Sequence, residues 1–310
     1  MKVTGESWEN WLYPMLLSPP AQLARSVISR RLFVDLADTF LRRRYNILDS
    51  GYFQSATIGA RYALLLDDTS DFERRHLQYV IGFFLEMADM MDAPRKSIKR
   101  RIETGLVLRL DGLRRALSSG RPILAPTIQT SVPLHILFAN LPDNVSYKLI
   151  LHRQHPGIPQ ILTKADPAWS FVFLDDRPGR AILEAFRSSQ VVVCNIDYAY
   201  PGSEVVIAKI FTRAGVVPSG IFRAARRHNA QVVPIVVSRS EGRVVISAED
   251  IHEWDHHSET PLGDMLARIQ PIFDSAVAQA PPAWMGWGNL AARWRMAAGI
   301  LRQTDAKHAL

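Results

Sequence analysis

The residues with the clearest chemical potential lie in the segment RPILAPTIQTSVPLH, residues 121–135. Ser131 and His135 are four residues apart, so their side chains would be neighbours on one helix. A serine beside a histidine can form a covalent acyl intermediate, and His135 alone can act as a general base. The alternative is that His135, inside the apolar run LHILF, is a packed core residue. Pro133 lies between the two residues and leaves the geometry of the pair open.

The pattern around these residues predicts a strand-to-helix junction. Residues 122–125 form an apolar run that ends in a turn, and Pro133 suits the first turn of a helix. Such a junction often presents a functional side chain at the edge of an α/β sheet. Gln129 occupies this junction, and its amide cannot take a proton from a substrate.

A second candidate is Asp197, which ends the run VVVCNID and precedes a turn at Pro201 and Gly202. A carboxylate just past the carboxyl end of a strand is typical of functional sites in α/β sheets. The alternative is a structural role in which Asp197 caps the turn. The sequence leaves both interpretations open.

The elements that must position these residues fall into two regions. Residues 1–118 are predicted to be a helical extension, because apolar residues recur there at helical spacings without strand-like alternation. In residues 119–300, short β-rich runs alternate with amphipathic segments, which predicts an α/β core with a mostly parallel central sheet flanked by helices. Residues 301–310 are polar and are predicted to form a frayed tail.

The individual elements follow from the same patterns. The predicted strands are residues 123–125, 146–152, 170–174, 190–196, 205–211, 231–238 and 243–247. The predicted helices are residues 32–40, 52–66, 77–91, 133–139, 157–164, 178–188, 219–228 and 260–279.

Charge favours anionic partners. With 37 Lys and Arg against 30 Asp and Glu, the 310-residue chain has a formal net charge of +7. Basic clusters lie at residues 42–44, at residues 95–101 and at Arg223, Arg226 and Arg227. Each suits an acidic protein or an anionic membrane surface, and each is otherwise a solvated helix face. No nucleic-acid recognition motif accompanies them, so nucleic acid is not an expected partner.

Several features predict a cytoplasmic protein. The only cysteine, Cys194, excludes an internal disulfide, suits a reducing compartment, and is predicted to be a small core residue. Residues 1–10 do not resemble a signal peptide, and no apolar window is long enough to cross a bilayer. A peripheral contact with the inner face of the membrane stays open.

Two further motifs, one rich in histidine and one rich in tryptophan, each have more than one explanation. The segment HEWDHH, residues 252–257, lacks structural-zinc spacing and is predicted to be a polar loop, so no metal is expected. Trp284, Trp287 and Trp294 lie near Arg293 and suggest an amphipathic closing segment. That segment either covers the core or lies at a membrane interface.

Five segments, in order along the chain, resemble the lipid A biosynthesis (lauroyl and myristoyl) acyltransferases of the lysophospholipid acyltransferase superfamily. The resemblance spans roughly residues 102–294. The five segments are LDGLRRALSSGRPILAP, LILHRQHPGIPQIL, DDRPGRAILEAFRSSQVVVCNIDYAYPGSEVVIAKIF, GIFRAARRHNAQVVPIVVSRSEGRVVI and PPAWMGWGNLAARW.

The family's signature, His-x-x-x-x-Asp/Glu, is lost in this chain. The resemblance places the catalytic histidine on Gln129 and the carboxylate on Leu134. A shift by one residue gives Thr130 and His135, which does not restore the pair. In the family, the histidine deprotonates an acceptor hydroxyl and the carboxylate orients it. Losing such a base typically forfeits roughly 10²–10⁴-fold in rate.

The resemblance also assigns residues outside the dyad. Arg153 matches the arginine of the family's Tyr-Arg-Pro segment and is a candidate for binding phosphate or a thioester oxygen, although an ordinary surface arginine is the alternative. Asp197 matches the second aspartate of an Asp-Gln-Asp turn. Gln129, Ser131, His135 and Asp197 are therefore the candidate catalytic residues. The candidate substrate-binding residues are Arg153, Thr130 and Arg223.

The resemblance implies a diverged acyltransferase. It would move an acyl group from an acyl carrier protein or coenzyme A thioester to a small-molecule or lipid acceptor, in a specialised biosynthetic pathway and without a bound cofactor. The alternative is a non-catalytic relative that binds an acyl chain or an acyl carrier protein. Hydrolysis of the thioester without an acceptor is a third interpretation.

Overall fold

The computed structural model describes most of the chain. The described residues are 18–92, 106–132, 141–142, 145–151, 169–173, 178–188, 191–198, 204–240 and 243–308. The predicted helices at 133–139 and 157–164 lie outside these residues.

Within the described residues, helices dominate the N-terminal part and strands follow. The helices are α1 (Pro19–Val27), α2 (Arg30–Tyr45), α3 (Gly51–Leu64), α4 (Ser70–Asp92), α5 (Asp111–Ser118), α6 (Pro178–Ser188), α7 (Gly220–Arg227), α8 (Pro261–Gln279) and α9 (Trp287–His308). The strands are β1 (Leu106–Arg109), β2 (Ile123–Thr127), β3 (Tyr147–Leu151), β4 (Trp169–Phe173), β5 (Val191–Asn195), β6 (Val205–Ile210), β7 (Arg213–Pro218), β8 (Gln231–Val232), β9 (Val236–Ser240) and β10 (Arg243–Ser247).

A five-stranded sheet, in the order β4-β3-β5-β2-β8, lies at the centre of the fold, and all its pairings are parallel. Its central strands β2 and β5 are buried almost throughout, as is typical of parallel sheets covered on both faces. In β5, Val192 and Cys194 pack into one hydrophobic core, while Val191 and Val193 pack into the core on the opposite face. The predicted α/β class, with a mostly parallel sheet, flanking helices and a helical N-terminal region, is confirmed.

Two prolines divide the strand that was predicted at 231–238. β8 pairs with β2 at Ile123 and Leu124 only, and β9 then joins β10 in a different sheet. Pro126 lies in β2 and Pro234 lies between β8 and β9, and neither has a backbone N–H to donate to a ladder. The regular pairing therefore stops after two residues, although the N–H groups of Val233 and Ile235 still donate to the carbonyl oxygens of Leu124 and Pro126, each at 2.9 Å.

Three expectations differ from the structure. Residues 1–118 are not wholly helical, because β1 pairs in parallel with β10. The antiparallel partner of β6, strand β7, was not predicted. The frayed tail expected at 301–310 is helical as far as His308, because α9 continues through it. Strands β1 and β7 are short and form by pairing with β10 and β6, so their own composition predicts them only weakly.

The N-terminal helices pack onto the segment that precedes α9. Their core includes Phe53, Leu77 and Ile81 together with Met285. The ring of His76 in α4 is fully buried, and its Nδ1 lies 2.8 Å from the carbonyl oxygen of Pro282. Because a carbonyl only accepts, Nδ1 carries the proton and donates it.

This histidine makes stability depend on pH. Burial lowers the pKa of His76 from 6.5 to about 4, although the hydrogen bond to Pro282 raises it in part. The unfolded state therefore takes up a proton at a higher pH than the folded state does. We expect this contribution to be complete above about pH 7 and to fall by about 3 kcal/mol as the pH decreases from 6.5 towards 4. Urea unfolding across this range measures the loss.

The His76→Gln variant has no group that titrates at this position, so its unfolding free energy should change less over the same range. His257→Gln, at an exposed position, is the matched control and should behave like the wild-type protein. Equal pH dependence in His76→Gln and the wild-type protein would contradict this assignment.

Within the described residues, no helix combines the length and the hydrophobicity needed to cross a membrane.

Candidate functional site

The segment just past β2, where the sequence predicts a strand-to-helix junction, is held through its backbone N–H and C=O groups on both sides. The N–H of Gln129 donates to Asp197 Oδ2 at 2.8 Å, and its carbonyl oxygen accepts from the N–H of Met285 at 2.9 Å. The N–H of Ser131 donates to the carbonyl oxygen of Ala283 at 2.6 Å. Residues 129–131 therefore run antiparallel to residues 283–285, and the backbone of Gln129 is fixed while its side chain is half-buried.

Trp284 completes this arrangement from the opposite segment. Its indole Nε1 donates to Asp197 Oδ2 at 2.8 Å, and its ring packs edge-on against Trp287 with centroids 4.8 Å apart. A Cβ at Gly286 would collide with the Trp284 ring, so glycine permits the close turn. Trp284, Trp287 and Trp294 are 3%, 0% and 8% exposed, so the closing segment packs into the core rather than lying at an interface.

Asp197 is the centre of the hydrogen bonding around the junction. It follows β5, whose last residue, Asn195, is paired with Thr127 at the end of β2. The carboxyl group is fully buried. Burial raises its pKa, while the hydrogen bonds from Trp284 and Gln129 and the nearby charge of Arg293 oppose that rise. Asp197 therefore holds two separate chain segments at the carboxyl edge of the sheet.

A buried polar network, which was not predicted from the sequence, lies beneath Asp197. Arg293 of α9 is 3% exposed and donates through Nε to the carbonyl oxygen of Val216 at 2.8 Å and through Nη2 to that of Ile196 at 3.3 Å. Burial lowers its pKa to about 10, although Asp197 and Asp274 both raise it. The sequence does contain one signal of this network. An arginine in the largely apolar stretch NLAARW predicts a buried charge, and a buried charge needs polar partners.

Asp274 of α8 belongs to the same network. Its Oδ1 accepts from Gln270 Nε2 at 2.8 Å and its Oδ2 accepts from the N–H of Phe211 at 2.7 Å. Burial raises the pKa of Asp274, while these hydrogen bonds and Arg293 oppose the rise. The network and Asp197 line a cavity of about 10 Å³, close to the size of one water molecule.

Ser131 and Thr130 lie against a second cavity of about 10 Å³, beside Arg239. Ser131 is 2% exposed, and its hydroxyl has no hydrogen-bond partner within the described part of the chain. The Thr130 hydroxyl accepts from the N–H of Val132 at 3.3 Å. Arg239 pairs with Glu86 of α4 and was not among the predicted site residues.

The structure thus brings together Gln129, Thr130, Ser131 and Asp197. It places Arg223 elsewhere, on α7, where Nη1 pairs with Glu204 Oε2 at 2.8 Å. His135, Leu134 and Arg153 lie outside the described residues.

Cys194 is a buried core residue, as predicted from its sequence context. Burial raises the pKa of its thiol to about 12, and the nearby charge of Asp197 adds to the rise. The thiol therefore stays protonated at neutral pH and is not a nucleophile.

The segment at residues 252–257 forms neither a helix nor a strand, as predicted, although Trp254 within it is buried. In the part of the chain that the structure describes, no group of three or more His, Cys, Asp or Glu side chains is placed to hold a metal ion.

Comparison with solved structures gives a distant similarity, whereas comparison with family models and curated proteins gives none. No protein-family model matches the chain, and no curated protein matches it. Among solved structures, it is similar to the 1-acyl-sn-glycerophosphate (LPA) acyltransferase, PlsC, from Thermotoga maritima, with a TM-score of 0.38 and 14% sequence identity over 82% of this chain and 98% of that chain. This similarity is too distant to define an activity, so the function rests on the residues of the chain itself.

Proposed function

We propose that the chain transfers an acyl group from an acyl carrier protein or coenzyme A thioester to a small-molecule or lipid acceptor. The site is the junction formed by Gln129, Thr130, Ser131 and Asp197. Five ordered segments resemble the lipid A acyltransferases, and the junction occupies the position of that family's catalytic motif. The loss of the His-x-x-x-x-Asp/Glu pair argues against ordinary lipid A acylation and favours a specialised pathway.

The proposal rests on how the backbone of Gln129 is held. The backbone of Gln129 is fixed between Asp197 and Met285 at the carboxyl end of β2, while its side chain is half-buried. A fixed backbone sets the point from which the Gln129 side chain extends, and positioning alone accelerates a transfer between bound groups. The amide N–H can donate to the thioester carbonyl oxygen, and the amide oxygen can accept from the attacking acceptor.

This chemistry suits an acceptor that needs no base. A neutral amine attacks the thioester carbonyl carbon, the new C–N bond forms, and the C–S bond breaks. The proton lost by the amine ends on the departing sulfur, so the products are an amide and a free thiol. Gln129 orients the two reactants and takes no proton in this scheme.

The net charge of the chain supports an anionic donor. The net charge of +7 favours both an acidic carrier protein and the phosphates of coenzyme A. The same charge would favour a peripheral contact with anionic lipid at the inner face of the membrane.

Gln129 also favours a second candidate function, a non-catalytic protein that binds an acyl chain or an acyl carrier protein. Neither glutamine nor Leu134 can supply the proton chemistry of the dyad. The two cavities beside the junction, each about 10 Å³, are far smaller than ligand pockets of about 300 Å³ or more, so an acyl chain is not placed in them under either function.

Thiol release distinguishes these functions. Decanoyl-coenzyme A and a decanoyl carrier protein are incubated with the protein, with ethanolamine as the amine acceptor and lysophosphatidic acid as the hydroxyl acceptor. The proposal predicts release above the blank that rises with ethanolamine concentration. Release that is independent of acceptor concentration indicates hydrolysis. No release, together with measurable carrier binding, would overturn the enzyme assignment in favour of the binding protein.

A further inference from the structure

A groove of about 870 Å³ lies on the surface between β6, α7 and the start of α8. Its volume is within the range of small-molecule sites, about 300–1,000 Å³. Apolar side chains form most of its wall, including Ile207, Phe222, Leu262 and Ile300. The indole ring of Trp254 lies beneath them and is held by a hydrogen bond from Nε1 to the carbonyl oxygen of Ala230 at 2.8 Å. The wall is therefore suited to an alkyl chain.

Arginines of α7 line one side of the same groove. Arg226 and Arg227 follow Arg223 by three and four residues, so each neighbours it on the helix surface, and all three side chains are exposed. Arg223 is paired with Glu204. Arg226 and Arg227 have no acidic partner among the residues that the structure describes.

The charge balance of the groove indicates the head group of its ligand. The pairing of Arg223 with Glu204 is neutral, Arg226 and Arg227 each add a positive charge, and Glu259 at the groove removes one. His256, which also lines the groove, is counted here as neutral. The remainder is a single positive charge, which matches a monoanion. The planar guanidinium fork also matches a carboxylate, which it can bind through two parallel hydrogen bonds.

The groove is separate from the junction. It shares no lining residue with the cavity below Asp197 or with the cavity beside Ser131. Occupancy of the groove therefore does not require the Gln129 site.

We propose that this groove is a second binding site that takes a single-chain fatty acid, with the alkyl chain against Ile207, Leu262 and Ile300 and the carboxylate on Arg226 and Arg227. The ligand is bound and not transformed. The site goes beyond the proposed acyl transfer, because it needs neither a thioester nor an acceptor.

Calorimetric titration of the whole protein with decanoate, below its micelle concentration, tests the site. Decanol shares the alkyl chain without the charge, and decyltrimethylammonium reverses the charge. We expect decanoate to bind, and both analogues to bind at least about 10-fold more weakly, because the charge-assisted bonds are lost. Equal affinity for decanol, or no binding of decanoate, would overturn the proposal. Tighter binding of decyl phosphate than of decanoate would overturn the assignment of the head group.

Variants locate the binding within the protein. The exposed double substitution Arg226→Gln/Arg227→Gln should weaken decanoate binding by at least about 10-fold. Ile300→Glu places a charge in the apolar wall and should weaken it similarly. The matched control is Arg180→Gln/Arg187→Gln, at two exposed arginines of α6 outside the groove, and it should bind like the wild-type protein. Unchanged binding in the α7 double variant would place the ligand elsewhere and contradict the proposal.

Discussion

Replacing Asp197 with alanine is expected to destabilise the protein by about 2–5 kcal/mol, because two buried hydrogen-bond donors are left without an acceptor. The side chain accepts hydrogen bonds from the N–H of Gln129 and from Trp284 Nε1, each at 2.8 Å, so both donors lose their acceptor. The buried cation of Arg293 also loses a neighbouring carboxylate that raises its pKa. Urea unfolding followed by tryptophan fluorescence measures the loss.

Two companion variants separate the causes of this loss. Asp197→Asn keeps an acceptor oxygen for the two donors but removes the charge, so it should cost about half as much. Asp250→Ala, at an exposed aspartate, is the control and should change stability by less than about 0.5 kcal/mol. An Asp197→Ala variant as stable as this control would contradict the role given to the carboxylate.

Restoring the lost dyad is expected to raise thiol release with a hydroxyl acceptor by roughly 10²–10⁴-fold, the usual contribution of a positioned general base. The double substitution Gln129→His/Leu134→Asp recreates the His-x-x-x-x-Asp spacing of the family that the chain resembles. The backbone hydrogen bonds of Gln129 do not involve its side chain, so the new imidazole would start from the same fixed position. Initial rates with decanoyl-coenzyme A and lysophosphatidic acid measure the gain.

The single substitution Gln129→His is the control for this experiment. Without the carboxylate that orients the imidazole, it should give a smaller gain than the double variant. Gln129→Asn adds no base and should give none. If the double variant folds with the wild-type unfolding midpoint and shows no gain, residue 129 does not occupy a catalytic position.

Much of the central sheet could be predicted from local patterns. The run VVVCN predicts a strand because β-branched residues buried on both faces are typical of parallel sheets, and Val191–Asn195 is that strand. The helix Pro178–Ser188 begins and ends where its amphipathic pattern does. In both elements, composition and tertiary environment favour the same structure.

The partners of Asp197 could not be predicted in this way. Asp197 and Trp284 are 87 residues apart in sequence, and their hydrogen bond exists only because α9 and the segment before it return to the carboxyl edge of the sheet. The packing of α9 against the sheet also buries Arg293 beneath the junction. The motif predicts that Gln129 lies at the end of β2. The hydrogen bonds of its backbone to Asp197 and Met285 could not be predicted, because they depend on this long-range packing.

We expect acyl transfer to depend on the amide of Gln129 and not on a relocated histidine base. The most direct test compares thiol release from decanoyl-coenzyme A, with ethanolamine as acceptor, in Gln129→Ala and in His135→Ala. We expect Gln129→Ala to lower the rate by at least about 10-fold, since a donor to the developing oxyanion is lost, and His135→Ala to keep the wild-type rate. Loss of release in His135→Ala with full release in Gln129→Ala would contradict this expectation.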